Sequence, residues 1–289
     1  MKLSLTTGKR FILFALITLF CYFLTSLAVG LILYLGGNEA KWLRIGAVVQ
    51  DMFLFIIPAV ATALLCTRLP ARFLCIDRAP NWSFVLVAWC TLTMSIPAMN
   101  QVIAWNESMH LPESMAAVEQ AMRHAEDAAR AQMSIMLGGD SVMNLVVSLL
   151  IVAVLAAFSE ELFFRGTFQR LFTTANVNVH VAVWVVAAVF SAVHMQFFGF
   201  IPRLLLGAFF GYLLVWSGCL WVPVLAHMFN NAVYVLGNWA MTTQGAPAGL
   251  QESNLDTLGR GDWQMVAGSL VLTAIGIVLL YRQRLRTPN

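Results

Sequence analysis

Apolar residues occur in this chain as long unbroken blocks, not in the two-residue alternation of a half-buried sheet. A helix that crosses the hydrocarbon of a bilayer needs about 20 apolar residues. Eight blocks approach or exceed that length: 11–35, 45–66, 83–105, 142–165, 180–197, 202–217, 220–240 and 264–281. The pattern predicts an all-α, polytopic transmembrane helical bundle of about eight spans. The first block follows Lys2, Lys9 and Arg10, as a secretory signal would. It runs on from Phe11 to Leu35, however, well past the about 7–15 residues of a signal core, so it reads as a retained span.

One long connection interrupts the apolar blocks. In 106–140, Pro112 and Glu113 suit a helix start, and the Ala-rich stretch through Met133 favours helix. Met115, Val118, Met122 and Ala125 recur at helical spacing beside charged residues. A helix lying along the membrane surface and a solvated linker between spans both fit this pattern. With no internal repeat or low-complexity tract, the chain divides into 1–141 (first spans plus connection), 142–240 (a core) and 241–289 (an outer loop and last span).

Composition removes the soluble alternatives. Hydrophobic residues make up 60% of the chain and charged residues 11%, against about 25% charged in soluble domains. The net charge of +3 is dispersed, with no basic patch to suggest nucleic acid. Cys21, Cys66, Cys75, Cys90 and Cys219 form no CxxC pair and read as small hydrophobes, not a disulfide framework.

Charge placement suggests orientation. With the N-terminus inside, the inner segments hold Lys2, Lys9, Arg10, Arg68, Arg72, Arg78, Arg170, Arg282, Arg284 and Arg286. The outer 106–140 connection sets Glu107, Glu113, Glu119, Glu126, Asp127 and Asp140 against Arg123 and Arg130. The outer 241–263 connection sets Glu252, Asp256 and Asp262 against Arg260. Positive residues thus favour the inside, with Lys41 and Arg44 as the exception. Both termini are expected in the cytoplasm, and the chain in a bacterial cytoplasmic (inner) membrane.

Against this background, ionisable residues within the spans are costly and point to function. Glu160 and Glu161 follow an apolar run from Val142 to Phe158. Glu161 and Arg165 are four apart and share a helix face, whereas Glu160 points about 100° away. The spacing predicts a structural ion pair at Glu161–Arg165 and leaves Glu160 to face a cavity as a general base. His194 follows Phe190 by one turn, and His227 and Asn231 share a face. At ~1.5 Å per residue, Glu160 lies ~15 Å from Arg170, His227 ~11 Å from Leu220 and His194 ~21 Å from His180. These depths describe a site within the membrane, expected to open inward.

One carboxylate, two imidazoles and an amide suit hydrolysis of a peptide bond. Glu160 would take a proton from water, His227 and Asn231 would donate to the oxyanion, and His194 would orient the water. A metal version is open as well, because Glu160, His194 and His227 match the donor set of some catalytic zinc sites. No HExxH is present.

Glu160-Glu161-x-x-x-Arg165, Phe190-x-x-x-His194 and His227-x-x-x-Asn231, in this order on successive apolar helices, resemble the three motifs of the CPBP (Abi) family. That family contains the type II CAAX prenyl endopeptidases and bacteriocin-processing or immunity proteins. The resemblance covers about 142–240 and implies an intramembrane endopeptidase with Glu160, His194, His227 and Asn231 as its catalytic set, supported by Glu161, Arg165 and Phe190. It implies a mostly helical, eight-span fold, a site reached from the cytosol, and either a metallo or a metal-free glutamate mechanism. The expected partners are the bilayer and a peptide or protein substrate with a membrane-associated segment.

Two other functions use the same residues. A transporter would employ the buried Glu and His side chains as a proton or ion relay, although neither paired repeats nor broken helices are visible. A non-catalytic immunity or scaffold protein would bind a partner in the membrane. Elsewhere, Asp51 beside Gln50 reads as helix packing with Asn100 or Gln101, and Gly207-x-x-x-Gly211 as close helix contact. Trp216 and Trp221 read as interfacial anchors. His110, His124 and His180 fall at span ends or in the polar connection.

Overall fold

The computed structural model describes residues 6–243 and 257–284. Lys2, Glu252, Asp256 and Arg286, used above for orientation, lie outside the described residues. The chain is an all-helical bundle, with no strand among the described residues. Its helices are α1 (Thr7–Gly36), α2 (Ala40–Cys66), the short α3 (Pro70–Phe73), α4 (Trp82–Glu107), α5 (Ala116–Leu137), α6 (Val142–Thr174), α7 (Val179–Ala192), α8 (Phe200–Ser217), α9 (Trp221–Thr243) and α10 (Trp263–Arg284).

Six of these are long and apolar enough to cross a membrane: α1, α2, α4, α6, α8 with its preceding turn, and α10. Two of the eight expected spans fall short of that description, for different reasons. Helix α7 has 14 residues, a length of ~21 Å against a hydrocarbon core of ~30 Å. Helix α9 has 23 residues and is long enough, but His227, Asn230, Asn231 and Asn238 dilute its apolar character. Leu16, Leu19, Phe20 and Phe23 of α1, with Leu270, Val271, Ile275 and Val278 of α10, are exposed. Apolar side chains on such helices face lipid.

The long helices are not uniform, and the irregularities have local causes. Pro97 interrupts α4, and Ser269 of α10 fills the break: its hydroxyl donates to Met94 O at 2.6 Å and accepts from Ala98 N–H at 3.2 Å. A side chain inserted into the helical ladder is a recognised way to hold a kink. In α2, residues Asp51–Ile56 widen into a π-helical turn just before Pro58, which has no N–H to return to the preceding turn. Helix α6 is wide at Leu149–Leu155 and again at Leu162–Gln169, with an ordinary α-helical turn at Ala156–Glu161 between them.

Helix α5 caps one end of the bundle, and it is the polar face that docks. Glu126 is buried, the Arg123 guanidinium lies 3.9 Å from the centre of the Phe198 ring, and Arg44 of α2 donates to Met136 O at 3.0 Å. Met115 and Val118, two of the four apolar positions noted above, remain exposed. Glu119 anchors the approach to this helix. It accepts from Leu111 N–H at 2.8 Å and pairs with Arg123 and His110. The Leu111 N–H first, then Arg123 and His110, hold its carboxyl at about 2, well below the usual range.

Close approach of α7 and α8 completes the frame around the polar centre. A side chain at Gly207 would meet Phe190 at 3.1 Å and Ala187 at 3.3 Å, and one at Gly211 would meet Gln169 and Val183, each at 3.0 Å. The two glycines therefore allow helix contact, as their spacing suggests. Trp221 departs from the anchoring role expected of it. Its N–H donates to Ile76 O at 3.3 Å and its ring stacks on Phe158, so it packs within the protein.

Candidate active site

Arg165 and Glu161 form the rigid floor of the site. Both side chains are fully buried and pair at 3.0 Å, the i,i+4 contact that the spacing predicts. Arg165 also donates to Gly207 O at 2.8 Å and lies over the Phe190 ring at 4.5 Å. One turn on, Gln169 donates to Gly211 O at 3.1 Å. Glycine at 207 and 211 leaves these carbonyls reachable, so α6 and α8 are joined by side chain to backbone.

Glu161 does more than pair with Arg165. The same oxygen, Oε1, lies 2.9 Å from His227 Nδ1. The imidazole is further held by Phe210, stacked at 4.8 Å and 19°, and by the edge of Phe190 at 6.1 Å. With Nδ1 bound to a carboxylate, the ring is fixed in one orientation, and its other nitrogen points at Glu160. His227 Nε2 is 4.0 Å from Glu160 Oε2. Spans four and seven thus meet at the positions whose depths looked unequal in the sequence.

His194 is placed differently from expectation. Helix α7 ends at Ala192, so His194 stands in the turn beyond it, not within a helix. The next residue, Met195, has φ +54, a left-handed conformation that ends helices and is unusual for a residue with a side chain. His194 Nδ1–H donates to Phe190 O at 2.8 Å, with the Phe190 ring at 5.1 Å. Val193, His194 and Met195 are all exposed. This exposed flank lies at the α7–α8 turn, which α5 contacts through Phe197–Gly199. The charge pattern expects this end of the bundle, which carries α5, to face outward.

Asn231 braces α6. Its Nδ2 donates to Val152 O at 3.0 Å, within the first wide segment of α6, while its Oδ1 accepts from Asn230 Nδ2 at 3.3 Å. An amide nitrogen carries two hydrogens, so one N–H of Asn231 is left for another acceptor.

Of two charged residues near Glu160, the sequence reading passed over one and gave the other to different neighbours. Arg203 of α8, bonded to the side chain and carbonyl of Gln196, is an electrostatic neighbour of Glu160 and His194. Asp51 of α2 is the other. Its partner is Ser159, whose hydroxyl donates to it at 3.0 Å, and not Asn100 or Gln101. Those two bind elsewhere, Asn100 to Leu258 O and Gln101 to Gly261 N–H. The miss at Asp51 is one of direction: the sequence marks a buried charge but not which neighbour it turns to.

The zinc alternative fares poorly on donor geometry. Among the described residues no three His, Cys, Asp or Glu side chains gather closely enough to hold a metal ion. His227 Nδ1 is engaged by Glu161, and His194 Nδ1 by Phe190 O. Glu160, His194 and His227 therefore do not form the three-donor set that catalytic zinc requires.

Comparison with known proteins bears on this same segment. Residues 142–233 match the family described as type II CAAX prenyl endopeptidase Rce1-like, and every one of the seven motif residues falls within that range. A curated relative, the uncharacterized protein YpbD of Bacillus subtilis (strain 168), is 29% identical over 90 residues. The match takes in 30% of this chain and 43% of the relative, so it spans less than half of that protein's length. No solved structure matches the chain.

Proposed function

We propose that this integral membrane protein is an intramembrane endopeptidase, a reading supported by the match of residues 142–233 to the Rce1-like family. It cleaves a peptide bond in a membrane-associated substrate, and Glu160 activates the water. The observation that carries the reading is the relay Arg165–Glu161–His227, which aims His227 Nε2 at Glu160 across 4.0 Å. At that separation both side chains can hold one water molecule.

Glu160 takes a proton from this water as its oxygen bonds to the scissile carbonyl carbon. The oxyanion that forms accepts a hydrogen bond from the remaining Asn231 N–H, an interaction that strengthens as charge develops, while His194, whose Nδ1–H is spent on Phe190 O, offers Nε2 as an acceptor that orients the water. Breakage of the C–N bond follows, with Glu160 returning its proton to the departing amine. His227 acts through orientation, since Glu161 fixes its ring as a carboxylate fixes a catalytic imidazole. No step uses a metal. The bacterial cytoplasmic membrane is the setting we propose.

The test compares membrane proteomes of cells carrying the wild-type chain and Glu160→Gln, then follows any differing substrate with purified protein in liposomes. Glu160→Gln and His227→Ala are expected to insert normally and to lose cleavage by at least about 100-fold. Cleavage retained by Glu160→Gln would refute the assignment. Activity that survives exhaustive chelation supports the metal-free route, and stoichiometric zinc in active protein would overturn it.

A further inference from the structure

The cost of burying Asp51 in the bundle is not explained by the endopeptidase machinery described so far. Its side chain is 5% exposed within α2, and among the described residues it takes part in no ion pair with Arg, Lys or His. An acidic group inside a transmembrane helix is costly and points to a role. Packing alone would be served by an alanine or a valine.

What Asp51 touches is the residue next to Glu160. Ser159 is fully buried, and its hydroxyl has one proton but two acceptors at the same distance, Asp51 Oδ1 and Ala156 O, each at 3.0 Å. The bond to Ala156 O stays within α6. The bond to Asp51 reaches across to α2. Around this contact, the wide turn Asp51–Ile56 packs against the turn Ala156–Glu161. Wide turns flank that segment of α6 on both sides, so its rotation about the helix axis is not dictated by a regular ladder. Glu161 holds the C-terminal end of that segment to Arg165 and His227, and the Ser159 tether fixes it from the α2 side, so the two together set the direction in which Glu160 points. Asp51 also lies within electrostatic range of Glu160.

We propose that Asp51 is a positioning residue for the proposed protease reaction, holding the Ser159–Glu160 segment of α6 in register with His227 through the Ser159 hydroxyl. This rests on the endopeptidase reading. It gives α2, outside the 142–233 segment, a part in the site.

The experiment is a double-mutant cycle on purified, reconstituted protein, reading kcat, KM and thermal midpoint for Asp51→Ala, Asp51→Asn, Ser159→Ala and the Asp51→Ala/Ser159→Ala double variant. Misplacing a catalytic group by about 1 Å can cost about 100-fold. Asp51→Ala and Ser159→Ala are each expected to lower kcat by about 10- to 100-fold with KM within about twofold of wild type. The double variant should lose no more than the worse single variant, because both remove one tether. Asp51→Asn, which keeps an acceptor for the Ser159 hydroxyl, should recover most of kcat. Wild-type-like kcat in Asp51→Ala, additive losses in the double variant, or a loss that Asp51→Asn does not rescue would each overturn the proposal. Should Asp51→Ala fail to insert, Asp51→Asn and Ser159→Ala decide it alone. A wild-type protein that cleaves nothing defeats the endopeptidase reading and this proposal together, whereas active wild type with indifferent Asp51 variants defeats only the latter.

Discussion

Arg165 concentrates more of this fold in one side chain than any other residue. It neutralises Glu161, donates to the α8 backbone and sits on Phe190, all while fully buried. Removing one partner of a buried pair leaves the other charged and unsolvated, at a cost of about 3–5 kcal/mol. Arg165→Met should therefore lower the thermal midpoint sharply in detergent, and Glu161→Gln added to it should restore part of the loss. Arg165→Lys should not substitute, because a single ammonium cannot serve Glu161 and Gly207 O in the same planar geometry. The i,i+4 pair was legible in the sequence because both partners lie on one helix. The His227–Glu161 contact was not, since it joins residues 66 positions apart and depends on how α6 and α9 are rotated. For the same reason Asp51 was recognised as buried but assigned to the wrong neighbours.

Among elements, α5 and the α7–α8 pair carry the clearest expectations. Glu119 is held at about 2, below the usual value of about 4.3. A carboxyl depressed in the folded state contributes stability that is present above its usual range and lost as pH falls through its folded value. Between pH ~4.3 and ~2 the attachment of α5 should loosen, seen as faster hydrogen exchange at the Leu111 amide, and Glu119→Gln should remove that dependence. At the α7–α8 contact, Gly211→Val should overpack Gln169 and Val183 and cost about 1–3 kcal/mol, measured by thermal unfolding. Helix α5 itself was legible from propensity. The end of α7 was not: Val193 and the residues from Phe197 continue the apolar run through the turn, and no glycine or proline marks the break at Met195.

For the whole molecule, hydropathy read the class without difficulty, because long apolar blocks have few alternative explanations. Its eight blocks include two that fall short of the six long apolar helices among the described residues, because the block at α7 outlasts its helix and polar residues dilute α9. Exposure alone does not separate lipid-facing from wetted surface. Met195 is 80% exposed and Phe20 64%, yet one flanks the proposed site and the other lies on an apolar helix. In a background with the native cysteines replaced, Met195→Cys should react with a charged, membrane-impermeant maleimide, and Phe20→Cys should not. Equal labelling of both would show that the α7–α8 turn is not wet.

The shortness of α7 has a consequence for the surrounding bilayer. A helix ~21 Å long leaves its terminal carbonyls and the following irregular turn at a depth where hydrocarbon offers no hydrogen bonds. Either the lipid thins beside it or water enters to meet it, and each adjustment changes in cost with every ångström of mismatch. Acyl-chain length thus becomes a variable acting on His194 itself. Turnover in short-chain liposomes should exceed that in long-chain ones, which would make this protein's rate a gauge of membrane thickness.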